Sequence, residues 1–468
     1  MSFLARDGRP SAAAGRPRSR RLTLLVLALL QFLIAVDVTV VNIALPSIGT
    51  DFGADARQLT WVVTGYTVVG GGLLMVGGRI ADLHGRRRTL LVGAAVFGLA
   101  SLAAGRATSL EMLVLARFAQ GAGEALAAPA AMSTPALLYP DPAARSRALG
   151  VWAAVARSGL VLGFLLSGLI TQLLDWRWIF LVDLPLIAVV LVGVRVLVAP
   201  DGRRAARQPL DLPGALLLTA APLLLIHGVI EWGEQRPDVL LATGTTLAGV
   251  LCALTFPVVE RRSPHPLVPL SFFRDRVRVV ANLATALLSA ALSTSFFLLT
   301  LFVQRDLGLS PIAAGLWFLP LAVTLILATV VVPGVLRRVG DARGSVLGIV
   351  ATGLGCGWLA VSPSGSAAVA VLPGMVCVAS GMGVALVALQ NAALHSVTED
   401  DAGIASGVRR CADQLGGAGG VALYVGIGFS SLPGGDTDPY AVAYGMAIVG
   451  LTVAAIGVPL LSRGGRTA

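Results

Sequence analysis

The sequence predicts an all-α polytopic membrane protein, two six-helix bundles with two extra helices, about 14 transmembrane helices in all. Three observations predict it. Of 468 residues, 56% are hydrophobic and 13% charged, with a mean hydropathy of +0.83. A soluble domain carries about 25% charged residues. Apolar runs near the ~20 residues that span hydrocarbon recur along the whole chain. All 35 basic residues are Arg, and they gather in alternate connections, as cytoplasmic loops of membrane proteins do.

The runs fall at 22–44, 59–80, 89–104, 110–132, 148–173, 178–198, 213–230, 239–258, 279–302, 312–333, 344–360, 367–389, 403–429 and 440–461. The first, with its Arg-rich flank, is too long for a signal peptide, contains Asp37 and lacks a small-residue cleavage pattern. It is read as a retained helix. An even number of spans puts both termini on one side. Twenty-eight of the 35 Arg fall in the tails and even-numbered connections, a sorting that counts Arg409 and Arg410 with the connection before helix 13. Five (Arg57, Arg106, Arg177, Arg236 and Arg305) fall in the odd-numbered ones, and Arg117 and Arg157 lie within helices. Both termini are therefore expected in the cytoplasm. The net charge of +10 reads as a topology signal, not as a nucleic-acid surface.

The longest cytoplasmic connections, Ala199–Leu212 and Glu260–Arg278, bracket helices 7 and 8. This predicts an Arg-rich tail at 1–20, a six-helix bundle at 21–199, a linker with two extra helices at 200–276, and a second six-helix bundle at 277–468. Cys252, Cys356, Cys377 and Cys411 lie within helices, and neither they nor the four His have metal-ligand spacing. No metal or organic cofactor is expected. There is no Lys for a phosphate-binding loop and no H-E-x-x-H, so neither an ATP-driven pump nor an intramembrane metalloprotease is expected on this chain.

The densest signal is Gly77–Leu90, G-G-R-I-A-D-L-H-G-R-R-R-T-L, where a short turn joins helices 2 and 3. Asp82 is placed to accept from the free N–H groups of a neighbouring helix start, and Gly85 to supply a positive-φ turn. A degraded echo follows helix 10: Gly334, Arg337, Arg338, Gly340, Asp341 and Arg343. Matching loops in two halves suggest parallel repeats.

Gly78, Ala81, Asp82, Gly85, Arg86, Arg87 and Leu90 match the signature G-x-L-A-D-R-x-G-R-R-x-x-L, so the stretch resembles that of the major facilitator superfamily. Leu83 replaces its Arg. Further runs resemble the fourteen-helix drug:proton antiporters of that superfamily: A-V-D-V-T-V-V-N-I-A-L-P (Ala35–Pro46), L-T-W-V-V-T-G-Y (Leu59–Tyr66), A-R-F-A-Q-G-A-G (Ala116–Gly123), W-R-W-I-F-L-V-D-L-P (Trp176–Pro185) and A-S-G-V-R-R-C-A-D-Q-L-G-G (Ala405–Gly417). Asp183, Arg410 and Asp413 stand where those proteins usually have Asn, Asn and Arg. Helix 5 departs most. Gly159, Gly163 and Ser167 keep a small-residue stripe for close packing, but Phe164 replaces a Pro associated with antiport.

The resemblance implies a major-facilitator fold and a secondary transporter. It implies proton-coupled export of small hydrophobic or cationic compounds by alternating access, without enzymatic activity. A uniporter or importer of the same fold remains the second reading. The partners implied are a small-molecule substrate, protons and the bilayer, and the chain is expected to act as a monomer in a bacterial inner membrane.

Charges inside the bilayer are costly and usually paired. At ~1.5 Å per residue, Asp37 and Arg117 share one depth in the outer half. Glu124, two turns further along helix 4, comes to the depth of Arg157. Two ion pairs are therefore expected, Asp37–Arg117 and Glu124–Arg157, each either handling protons or only holding helices together. Asp413 and Arg410 are expected to form a local pair and a possible second-half polar site. Gly78, Asp82, Gly85 and Arg86 form the expected conformational gate, in which Asp82 clamps the halves of the outward-facing state by capping helix 13.

Overall fold

The computed structural model describes residues 17–139, 141–199, 210–234, 237–362, 368–394, 402–430 and 438–462, and no strand occurs among them. The helices are α1 (Pro17–Phe52), α2 (Ala56–His84), α3 (Arg86–Ala104), α4 (Leu110–Leu138), α5 (Pro142–Leu173) and α6 (Trp178–Leu197). Then follow α7 (Leu212–Trp232), α8 (Val239–Arg262), α9 (Arg276–Asp306), α10 (Pro311–Trp317 and Leu319–Val339) and α11 (Asp341–Val361). The chain ends with α12 (Ala368–Leu394), α13 (Ala402–Gly420, continuing through a π turn to Gly428) and α14 (Pro439–Ser462). This is the expected all-α architecture.

Local chemistry sets the ends. Asp55 caps α2 in a reciprocal box with Gln58, and Ser109 and Asp141 cap α4 and α5. Gly85 (φ 98, ψ 138) and Gly340 (φ 82, ψ 154) make the two tight turns. A Cβ is strained at such angles. The breaks in α6 and α10 have one cause: Pro185 and Pro320 lack the N–H that the carbonyls of Leu181 and Leu316 need.

Eleven of these helices, among the described residues, are long and apolar enough to cross a membrane. The others, α4, α5 and α13, carry Arg117 and Glu124, Arg157, and Arg410 with Asp413. The protein is thus a multi-pass membrane protein.

Within the first half α1 packs on α5 and α6, α4 on α2 and α3, and α3 on α6. Within the second half α9 packs on α13 and α14, α12 on α10 and α11, and α11 on α14. Adding eight to each number in the first set gives the second. The cross-contacts obey the same rule: α2 meets α13, α5 meets α10, and α1 meets α9. Helices α7 and α8 stand outside this scheme, packed on each other, with α7 against α2.

One end is sealed. Gln304 Nε2 donates to the Ile43 carbonyl at 2.9 Å and Ile312 N donates to Gln172 Oε1 at 3.1 Å. The ring of Phe164 stacks on Phe318 at 4.9 Å. The other end, which carries the Arg-rich turn, holds a cavity of about 380 Å³.

Candidate functional site

Arg117, Gln120 and Glu124 recur at helical spacing on one face of α4. Gly121 lets that face approach α2, since a Cβ there would lie 2.3 Å from the Tyr66 carbonyl oxygen. Arg117 is 1% exposed, as is Asp37 of α1. Arg117 Nη1 donates to Asp37 Oδ2 at 2.7 Å, to Asp37 Oδ1 at 2.9 Å and to Gln120 Oε1 at 2.9 Å. Its Nε donates to the Val62 carbonyl at 3.0 Å. Gln120 Nε2 donates to Asp37 Oδ1 and to Ser101 Oγ of α3. The guanidinium also lies 4.3 Å from the Tyr66 ring centre, a cation–π contact. Four helices therefore fix one buried ion pair.

Tyr66 extends this centre toward Glu124, whose charge acts on its hydroxyl. Glu124 is buried and accepts from Arg410 Nη2 at 3.0 Å and from Gln414 Nε2 at 3.2 Å. Among the described residues the partners of Glu124 come from α13 in the opposite half. The expected partner Arg157 of α5 has its side chain outside the described residues. Arg409 and Arg410 lie inside α13, as the run at 403–429 implies, and not in the connection to which the Arg sorting assigned them. Nor do Arg410 and Asp413 form a closed local pair: Asp413 takes a hydrogen bond from Ser289 of α9, although its charge still acts on Arg410.

The small-residue stripe of α5 lies on α1. A Cβ on Gly159 would sit 2.9 Å from the Ala35 Cβ, and one on Gly163 1.9 Å from Thr39 Oγ1. Ser167 Oγ donates to the Val40 carbonyl. Phe164, in place of the Pro, builds the aromatic stack at the sealed end.

The cavity runs from Arg410 to the Arg-rich end. Its walls include Gln31, Met75, Gly78, Asp82, Met132 and Trp152. Among the described residues Asp82 caps no part of α13 in this conformation. Its side chain is 67% exposed and lies 3.6 Å from Arg86. Arg410 belongs to the lining, and the Glu124 that it holds lies buried behind it.

Sequence reasoning missed Gln120, Tyr66 and Gln414. Gln120 and Glu124 share the α4 face with Arg117, a signal that was legible. The Tyr66 and Gln414 contacts depend on the rotation of α2 and α13, which residue spacing does not give.

Two bundles related by a repeat, with a cavity open at one end, define a membrane transporter that works by exposing one site to either side. The chain belongs to the Major Facilitator Superfamily, whose family description matches residues 27–421. It is 61% identical to the lincomycin resistance protein of Streptomyces lincolnensis over 98% of this chain and 96% of that one. It is 39% identical to the cephamycin export protein CmcT of Amycolatopsis lactamdurans (94% and 91% covered). It is 36% identical to the puromycin resistance protein of Streptomyces alboniger (97% and 92% covered). A crystal structure of a peptide transporter, POT, with sulfate shares the fold at a TM-score of 0.72, with 15% identity and 94% and 95% covered.

Proposed function

We propose that this protein exports a small antibiotic in exchange for protons, with lincomycin the first candidate because of the 61% identical relative. The Arg-rich end faces the cytoplasm in this reading, both termini lie there, and the conformation described is inward-facing. Drug enters the cavity from the cytoplasm or the inner leaflet and meets Glu124 and Arg410 at its head.

The observation that carries proton coupling is the sealed Asp37–Arg117 pair. A carboxylate in an apolar site gains a proton easily when its cation withdraws and loses it when the cation returns. Rocking of the halves moves α4 through the Glu124–Arg410 contact, which spans them. That motion reaches Arg117 along the same helix face. Asp37 is then the principal proton carrier, and Glu124 mainly selects substrates.

The test uses inverted membrane vesicles with an imposed pH gradient. The wild type should accumulate labelled lincomycin, Asp37→Asn should not, and Glu124→Gln should accumulate an altered range of drugs. If Asp37→Asn still concentrates drug while Glu124→Gln cannot, the two roles are reversed. If the pH gradient changes nothing in any variant, the protein is a uniporter. Cysteines placed at Arg88 and Glu111 should label from opposite sides of the membrane.

A further inference from the structure

A second buried carboxyl stands beside Arg117. Asp183 lies on α6 three residues after Phe180, whose ring centre is 5.9 Å from the Arg117 guanidinium carbon. Val182, at the break in α6, keeps helical angles (φ -65, ψ -22), so Asp183 follows Phe180 on one face, within electrostatic reach of Arg117. Asp183 is 2% exposed, and no donor among the described residues reaches its Oδ2. The charged groups that act on it are Asp37 of α1 and Arg117 of α4.

Charge decides what such an arrangement holds. Two ionised carboxylates against one guanidinium leave a net negative charge in a low-dielectric interior, which is strongly unfavourable. One proton divided between the two carboxyls removes that cost.

We propose that Asp183 is a second proton-binding carboxyl of this centre, sharing one proton with Asp37 against the single charge of Arg117. In the arrangement described, the proton sits on Asp183 and Arg117 neutralises Asp37. In the alternative, the Asp183 O–H bond breaks, an O–H bond forms on Asp37, and Arg117 turns to the Asp183 carboxylate. The charge of the centre is the same before and after, and the pair titrates as a unit. This rests on the proton-coupled reading above and removes a difficulty in it: protonating Asp37 alone would strand a buried guanidinium.

The test is infrared spectroscopy of the full-length protein in liposomes, with aspartate carbon-13 labelled at its carboxyl to separate Asp from Glu. The wild type should show a protonated-aspartate stretching band at neutral pH. Asp183→Asn should remove one carboxyl's worth of it, and Asp183→Glu should return it at the unlabelled Glu position. Asp37→Asn should remove it as well, because Asp183 then ionises to pair with Arg117. A wild-type band that Asp183→Asn leaves unchanged overturns the proposal, and so does a band that persists undiminished in Asp37→Asn. The band is read without transport, so failed coupling in vesicles and a failed second proton site give separate results.

Discussion

The two halves share one frame and differ in what they bury. In the first, a Cβ on Gly93 of α3 would sit 2.7 Å from Ala127 N of α4. In the second, one on Gly348 of α11 would sit 2.6 Å from Ala385 N of α12. Gly159 and Gly163 approach the carbonyls of Phe32 and Val36, as Gly416 and Gly420 approach those of Ala286 and Ala290. These crossings align the halves residue by residue. Arg117, Gln120 and Glu124 of α4 then correspond to Met375, Val378 and Met382 of α12. Ser101 corresponds to Cys356, and Asp37 to Ala291. All five counterparts are fully buried members of the apolar core. The same helix crossings are thus held in the second half without an ion. Buried ion pairs are poor stabilisers compared with well-packed apolar groups, and this comparison argues that the first half keeps its pairs for something other than packing.

The largest effect should come from breaking one pair. Arg117→Met leaves Asp37 buried without a cation and should cost about 3–5 kcal/mol, read as a fall in the thermal midpoint of the purified protein. Adding Asp37→Ala copies the second half and should restore most of that stability, while pH-driven accumulation stays lost. If the double variant is no more stable than the single, the pair holds the fold and the comparison fails.

Breaking the shared frame should come next. Gly93→Ala and Gly348→Ala each push a Cβ into backbone and should each cost about 1–3 kcal/mol. Similar losses in the two variants support the repeat, and a loss confined to one breaks it. A smaller shift is expected at the sealed end, where Phe164→Leu keeps a buried apolar side chain but removes stacking worth about 0.5–1.5 kcal/mol. It should raise labelling of a cysteine at Gln304 by an impermeant reagent added outside.

The smallest change in stability should be at the Arg-rich turns. Asp82 and Arg86 form an exposed pair, worth about 0–1 kcal/mol, so Asp82→Asn should fold normally. If Asp82 clamps this end when it closes, the variant should still slow turnover and favour the inward-facing state. Gly85 and Gly340 align Asp82 with Arg337, which has the opposite charge, so Arg337→Gln should leave turnover unchanged. Equal effects at both positions would mean that the turns act only through their charge.

The sequence by itself determined the order of the helices, because apolar runs near the length of a bilayer core alternate with polar, Arg-bearing connections along the chain. It determined the turns at Gly85 and Gly340, because only glycine takes those angles freely. It also brought Asp37 to Arg117, since both lie in one half and depth along two neighbouring helices can be counted. Tertiary structure decided the rest. Depth is one coordinate, and it says neither which way a helix is turned nor which half faces it. The packing of α2 against α13 brings Arg410 to Glu124 across the two halves. The α6 face behind Phe180 brings Asp183 to Arg117. Contacts between segments nearly 300 residues apart follow from helix rotation and bundle docking, and neither is written in residue spacing.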